Sequence, residues 1–352
     1  MKNLTLLCVL TLAAPLGAAP IQHDFLALDE GLSNVMHVNE ANPKQNWLVH
    51  IGHDLPRDMQ LEGGNRLLIS HDRGYCEYDI ATGKLIKDVA IYHDVSTARR
   101  LANGDLLLAG VDFDGKKLNR GHDPVGDPTG HHVLFIEYGP DGQVVHRTTY
   151  VGDYLRLIRE TPKGTYLCAC NTLFREADGN GSWIRDIRVP GFQHAWEALS
   201  LPNGDVLMSA GFGTSIPPGH GGSSFMAEVD ASGNLLRRFG DSKQVPERVH
   251  PYFYAMFQLL PNGDVVIANW QGHFAGHNNS GSQLVELDSQ GSLVWEWSDR
   301  AFVSSLQGVL VLDGLDRSVM NDERNGVMAS AGPVGDYEYT RPKPLDSESP
   351  HR

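Results

Sequence analysis

Short apolar runs recur along this chain, each broken by a glycine-centred turn. Three copies read Leu101-Ala102-Asn103-Gly104-Asp105-Leu106-Leu107-Leu108, Leu201-Pro202-Asn203-Gly204-Asp205-Val206-Leu207-Met208 and Leu260-Pro261-Asn262-Gly263-Asp264-Val265-Val266-Ile267. Degraded copies centre on Gly64, Gly164 and Gly314. Asn-Gly between apolar runs is the signature of a tight hairpin, because primed turns need positive φ. A second hairpin follows most copies, turning at Gly83, Gly142, Gly233 and Gly291. Each unit therefore predicts a four-stranded antiparallel meander, and such units repeated along a chain are the blades of a β-propeller. The turn glycines at 64, 104, 164, 204, 263 and 314 predict an all-β chain of six blades. Past the N-terminus no apolar stretch has the helical period over a useful length.

The ends predict how the ring closes. The sixth unit shows an inner strand near 304–313 and a second near 326–331, with no third or fourth. The missing hairpin reads at 34–38 and 47–50, so N-terminal strands would complete the last blade and remove an open edge. The propeller would span 20–332, with a polar tail at 333–352. Residues 1–19 read as a secretory signal: Lys2, an apolar run from Leu4 to Leu16, then Gly17-Ala18-Ala19. That run is too short for a comfortable membrane span. The expectation is a soluble monomer in the periplasm or secreted.

Composition narrows the partners. A formal net charge of -14 argues against nucleic acid and anionic membrane surfaces. Beyond Cys8 in the leader, Cys76, Cys168 and Cys170 form no disulfide framework. Cys168 and Cys170 share one strand face in poor geometry for a bridge, so buried thiols acting as small hydrophobes fit better.

Candidate chemistry emerges on counting back from each repeat to the point where the chain enters the inner strand. His53 and His93 lie eight residues before Leu61 and Leu101, Asp153 eight before Thr161, and His194 seven before Leu201. Tyr252 lies eight before Leu260, with His250 two residues earlier. Asp54 and Asp94 follow the first two histidines. Trp196, Phe253, Trp270 and His273 fall on the same predicted rim, with Arg57 and Arg156 nearby. The longest insertions, 112–130 and 212–222, point to this face as well. A histidine at a fixed blade position can be a structural device, but its neighbours and offsets vary here. A ring of imidazoles with aromatic walls suits a ligand pocket. It allows proton transfer, oxyanion stabilisation, or a divalent transition metal held by His53, His93, His194 and His250. No nucleophile elbow, phosphate loop or dinucleotide fingerprint is present.

The Leu-Pro-Asn-Gly-Asp-Val-Leu phrase, the hairpin from Val285-Glu286-Leu287-Asp288 to Val294-Trp295-Glu296-Trp297 and the His-Asp pairs resemble the bacterial pyrroloquinoline-quinone-like propeller superfamily, nearest its arylsulfotransferase-like branch. The resemblance runs from about Asn34 to Ala331 and implies sulfuryl transfer by channel histidines aided by an arginine. His93, His194, His250 and Arg57 would be the matching catalytic residues. His53, Asp54, Asp94, Asp153, Trp196, Tyr252, Trp270 and His273 would then bind substrate. The chain lacks the extra N-terminal domain of such enzymes. Six blades without a regular tryptophan motif argue against a bound quinone. Two function classes follow. One is an exported enzyme acting on a small anionic, aromatic or sugar-derived substrate by sulfuryl transfer, hydrolysis or metal-assisted elimination. The other is a non-catalytic propeller binding a glycan or a partner protein through the same face.

Overall fold

The computed structural model describes residues 20–111, 132–152, 154–192, 194–211, 224–272 and 281–331. The segments at 1–19 and 333–352 assigned to a leader and a tail lie outside them, as do both long insertions at 112–130 and 212–222. Three strands open the described chain: β1 (Asp24–Asp29), β2 (Asn34–Asn39) and β3 (Trp47–His50). Next come β4 (Met59–Gly63), β5 (Arg66–His71), β6 (Gly74–Asp79) and β7 (Leu85–Ala90), an antiparallel meander. A second meander is β8 (Val95–Arg100), β9 (Leu106–Val111), β10 (His132–Tyr138) and β11 (Val144–Val151). A third is β12 (Ile158–Glu160), β13 (Tyr166–Cys170), β14 (Leu173–Ala177) and β15 (Trp183–Ile187). Then follow β16 (His194–Ser200), β17 (Val206–Gly211), β18 (Phe225–Val229) and β19 (Leu235–Phe239). After these come β20 (Phe253–Leu259), β21 (Val265–Trp270), β22 (Leu284–Leu287) and β23 (Leu293–Trp297). These last two meanders join into one eight-stranded sheet through a single pairing, Gly211 with Phe253. A Cβ on Gly211 would sit 1.9 Å from the Phe253 ring, so only glycine permits that approach. The result is a propeller-like arrangement of four-stranded antiparallel sheets, with no α-helix among the described residues.

The recurring phrase forms its turn differently from the sequence expectation. In the plain copies Gly104, Gly204 and Gly263 have positive φ and the asparagines do not. Gly104 N–H donates to the Leu101 carbonyl at 2.9 Å and Leu101 N–H to the Asp105 carbonyl at 2.9 Å, closing a three-residue loop. Asn103 Oδ1 accepts from Asp105 N–H at 2.9 Å, and Asn203 and Asn262 do the same for Asp205 and Asp264. The phrase is thus a type I turn with a glycine bulge, its asparagine bracing the exit. Only the degraded copy at Gly64-Asn65 places two successive loop residues at positive φ in a two-residue turn.

The chain closes through its N-terminal side, by three strands rather than two. β24 (Leu306–Val311) pairs with β1, from Phe25 opposite Val311 to Asp29 opposite Leu306, giving the order β24-β1-β2-β3. The sequence assigned the second strand to 326–331, which is a correction. That stretch instead ends in a small ladder, β25 (Asn321–Asp322) with β26 (Ala329–Ser330). β1 outcompetes it because Phe25, Leu26, Ala27 and Leu28 are all buried, whereas Ala329 and Ser330 are exposed. Apolar layers lie between successive sheets. Leu68, Tyr75 and Val89 pack on Val95, Ala98 and Leu108, for example. The last layer joins β24 and β1 to Met59 and Leu61 on one side and to Val266 and Leu284 on the other. Cys76, Cys168 and Cys170 are buried free thiols.

We call the end where inner strands begin the head, and the end where they reach the Asn-Gly turns the foot. The stretch after β24 crosses the foot as a strap. Gly64 and Asn65 N–H donate to the carbonyls of Ser318 and Arg317 at 2.9 and 2.8 Å. Val327 bridges Leu259. The strap inserts Glu323 between Arg99 and Arg159. Arg99 Nη2 lies 2.7 Å from Glu323 Oε1 and its Nη1 3.3 Å from Asp58 Oδ1. Arg159 Nη2 lies 3.1 Å from Asp58 Oδ1, and the same guanidinium pairs with Glu197 and Glu323. All five side chains are buried. Two cations facing three carboxylates leave one negative charge too many for a dry interior. Burial raises the Glu197 carboxyl to about 7, against the pull of Arg159, so a proton on Glu197 balances the cluster.

Candidate functional site

At the head the same inner strands carry the opposite arrangement. Arg57 and Arg156 stand just before β4 and β12, their N–H groups donating to the carbonyls of Ser70 and Ala169 at 3.1 and 2.9 Å. Neighbouring sheets fix this backbone. Ser96 Oγ donates to the Leu155 carbonyl at 2.9 Å and Thr97 Oγ1 to that of Arg156 at 3.2 Å. Gln307 Nε2 donates to the Pro56 carbonyl. The Arg156 guanidinium lies 4.3 Å from the Trp196 ring centroid, 5.0 Å from Tyr154 and 5.8 Å from Phe253. Trp196 meets Phe253 edge-on at 5.4 Å, Phe253 meets Trp270 at 5.5 Å, and Trp270 meets Tyr252 at 5.9 Å. Arg57, Arg156, Trp196, Tyr252 and Trp270, picked out by counting along the repeat, therefore share one region.

Its electrostatics are uncompensated. Burial lowers the Arg156 pKa, Arg57 lowers it further by repulsion, and Tyr154 and Glu30 pull it back. Among the described residues no carboxylate lies within ion-pair distance of Arg57 or Arg156, in contrast to Arg99 and Arg159. Arg57 Nε, Arg156 Nε and Trp196 Nε1 are buried donors with no hydrogen-bond partner among the described residues. The rings offset part of this cost through cation–π attraction. Buried unanswered donors are rare, and a group of them at one place marks a position where water or another bound group would supply the acceptors. Tyr154 and Glu30 escaped the sequence reading. Glu30 follows β1, which no repeat phrase announces.

The histidines are held separately. His53 Nε2 lies 3.0 Å from both oxygens of Asp88 on β7, and its ring stacks on His71 at 4.0 Å and 10°. His93 Nδ1 lies 3.4 Å from Arg73 Nη1. An arginine only donates, so Nδ1 accepts and the His93 proton sits on Nε2. His250 adopts φ 46° and its Nδ1 lies 3.2 Å from Gln271 Oε1. His194 opens β16 opposite Gly211. Asp54 is exposed, its carbonyl accepting from Asp72 N–H at 3.0 Å, and Asp94 has φ 52°. Asp153 and His273 lie outside the described residues.

A metal held jointly by His53, His93, His194 and His250 is not what these contacts build. Among the described residues, one group places three or more ligand atoms within 4.8 Å of one another: His53, His71 and Asp88. That group does not fit an ion as it stands. Two imidazoles stacked in parallel cannot both aim an in-plane lone pair at one point. The Arg73 N–H occupies His71 Nδ1 at 3.2 Å, which leaves the His71 proton on Nε2. Burial, then the His53 charge, lowers His71 to about 3. The trio reads as His53 bonded to Asp88 over the neutral ring of His71.

No protein-family model matches this chain, and no curated protein matches it. Solved structures do. A Bacteroides caccae protein of unknown function superposes with a TM-score of 0.61 at 22% identity, covering 83% of this chain and 99% of that one. The WD40 β-propeller domain of Doa1 gives 0.49 at 12% identity, covering 79% of each chain. A catalytically inactive virginiamycin B lyase from Staphylococcus aureus with quinupristin gives 0.45 at 8% identity, covering 86% of this chain and 87% of that one. At these identities the likeness concerns the fold alone. No helix among the described residues is long and apolar enough to cross a membrane.

Proposed function

We propose that this chain is an exported, monomeric six-bladed propeller that binds a small anionic, aromatic or sugar-derived substrate at its head and transforms it there. One observation carries the reading: the foot is occupied by the chain's own Glu323, whereas the head holds Arg57, Arg156 and Trp196 with buried donors that no group among the described residues answers. Trp196, Tyr252 and Trp270 supply the walls. His93, His194 and His250 supply proton transfer, His93 through its Nε2–H. Proton transfer favours hydrolysis or elimination, and Arg57 and Arg156 would stabilise a developing oxyanion. Sulfuryl transfer through a histidine keeps its support only from the sequence resemblance. A non-catalytic propeller using the same head is the alternative.

The test is a panel of small esters, lactones and aryl-leaving-group substrates assayed with the wild type, His93→Ala, His194→Ala and Arg156→Gln, each checked for a native circular-dichroism spectrum. Turnover lost in the histidine variants but not ligand binding supports the enzyme. Binding that persists with no turnover by any variant, wild type included, points to the non-catalytic propeller. Ligand binding unchanged in Arg156→Gln removes the head as the site.

A further inference from the structure

We infer that the head takes an aromatic carboxylate, a planar monoanion. This rests on the reading above and narrows it. The charge count comes first. Arg57 and Arg156 contribute two positive charges, and Glu30 is the one carboxylate whose field reaches Arg156 among those that shift it. No carboxylate among the described residues lies within ion-pair distance of either arginine, so an anion between them would relieve their mutual repulsion, and a monoanion costs less to bury than a dianion such as a phosphate monoester.

Donor geometry comes next. The unanswered groups are two guanidinium Nε–H and one indole N–H, all donors. A guanidinium edge pairs with a carboxylate in a planar fork, which is the strongest match for that donor set. Trp196 is 3% exposed, so its unpaired Nε1 is a buried group of the site and not a surface accident.

Shape comes last. Arg156 is flanked by the faces or edges of Tyr154, Trp196 and Phe253, and the aromatic wall continues through Trp270 to Tyr252. Aromatic walls stack a flat ring better than a puckered one. Ser305 Oγ and Gln307 Oε1, both buried and without partners, come from the strand that braces Pro56 beside Arg57. They offer a hydroxyl-bearing ring a donor and an acceptor.

The experiment titrates the full chain with benzoate, benzenesulfonate, phenylphosphonate, cyclohexanecarboxylate and benzamide at pH 8, by calorimetry and by quenching of tryptophan fluorescence. Benzoate should bind at least about tenfold more tightly than benzamide, phenylphosphonate and cyclohexanecarboxylate, with benzenesulfonate weaker than benzoate because it is not planar. Arg156→Gln and Arg57→Gln should each weaken benzoate by tenfold or more and leave benzamide unchanged. Arg156→Lys, which keeps charge but not the fork, should recover only part. Benzamide binding as well as benzoate, or benzoate binding that ignores both arginine variants, overturns the inference. Benzamide binding as well as benzoate would still leave the head as a site for a neutral ligand, whereas indifference to both arginine variants removes the head as the site. Benzoate giving neither heat nor quenching overturns it too. If a neutral glycan quenches the same tryptophans, the broader reading survives. If no compound perturbs them, both fall.

Discussion

Arg156 and Arg159 stand three residues apart in the chain and meet opposite surroundings. Arg159, at the foot, is enclosed by Asp58, Glu197 and Glu323; burial opposes its charge, but these carboxylates outweigh burial and raise its pKa. Arg156, at the head, has burial and Arg57 against it, and its pKa is lowered. Arg159 is fully buried and Arg156 half-buried, so the two differ in exposure as well as in compensation. One cation is answered by three acids and the next by aromatic rings, and our proposal rests on that difference: the first serves cohesion and the second is left for a ligand.

The sharpest way to break this contrast is to remove each arginine. Arg159→Met should destabilise by about 3–5 kcal/mol in urea denaturation, because it strands buried carboxylates. Arg156→Met should cost less than about 1 kcal/mol, or stabilise, since a strained functional charge is removed. Equal losses would erase the distinction. A smaller effect is expected at the strap. Glu323→Gln should cost about 1–3 kcal/mol by leaving Arg99 and Arg159 short of an acceptor. It should leave ligand binding at the head unchanged, and a parallel loss of binding would show that the two ends are coupled.

The proton on Glu197 gives the next test. Its folded pKa of about 7 lies above the ordinary 4.5, so the folded state holds a proton that the unfolded chain has released. Stability should therefore fall as pH rises from about 4.5 through 7. Glu197→Gln should flatten that slope in a pH series of urea midpoints. His23 works in the other direction of charge. Burial pulls its pKa down, but hydrogen bonds to Asp313 at 2.5 Å and Glu286 at 2.9 Å outweigh this and raise it to about 9. Its contribution should be complete below pH 6.5 and lost as pH climbs through 9, a modest decline that His23→Gln removes.

How much of this could be read from the chain depends on how local the cause is. Gly104, Asn103 and Asp105 write a whole turn within a few residues, so the meanders were legible from the phrase. The offset from that phrase located Arg57, Arg156 and Trp196, because the loop into each inner strand has nearly constant length. The strap and β1 were not legible. Asp24–Asp29 has no repeat phrase, and its partner Leu306–Val311 lies at the far end of the chain. The foot cluster was hidden for the same reason: Asp58, Arg99, Arg159, Glu197 and Glu323 meet only once the sheets converge. Glu286 is likewise buried against His23, from the opposite end of the chain, and nothing beside it in the sequence announces that partner. The histidines were located in sequence, but their partners come from elsewhere in the sheets: Asp88 from β7, Arg73 from the turn after β5 and Gln271 from just past β21.

The join between β1 and β24 has a consequence for biogenesis. β1 is the first strand among the described residues to be made and β24 almost the last, so β1 keeps an open hydrogen-bonding edge while the rest is synthesised. At roughly 5–20 residues per second that interval is on the order of tens of seconds. During it, Phe25, Leu26 and Leu28 lack their final partner. Until the ring shuts, that edge can recruit another nascent chain in place of its own last strand, and the product would be a strand-exchanged oligomer. Slow synthesis or a late truncation should therefore cost yield through aggregation well before it costs activity in the molecules that do close.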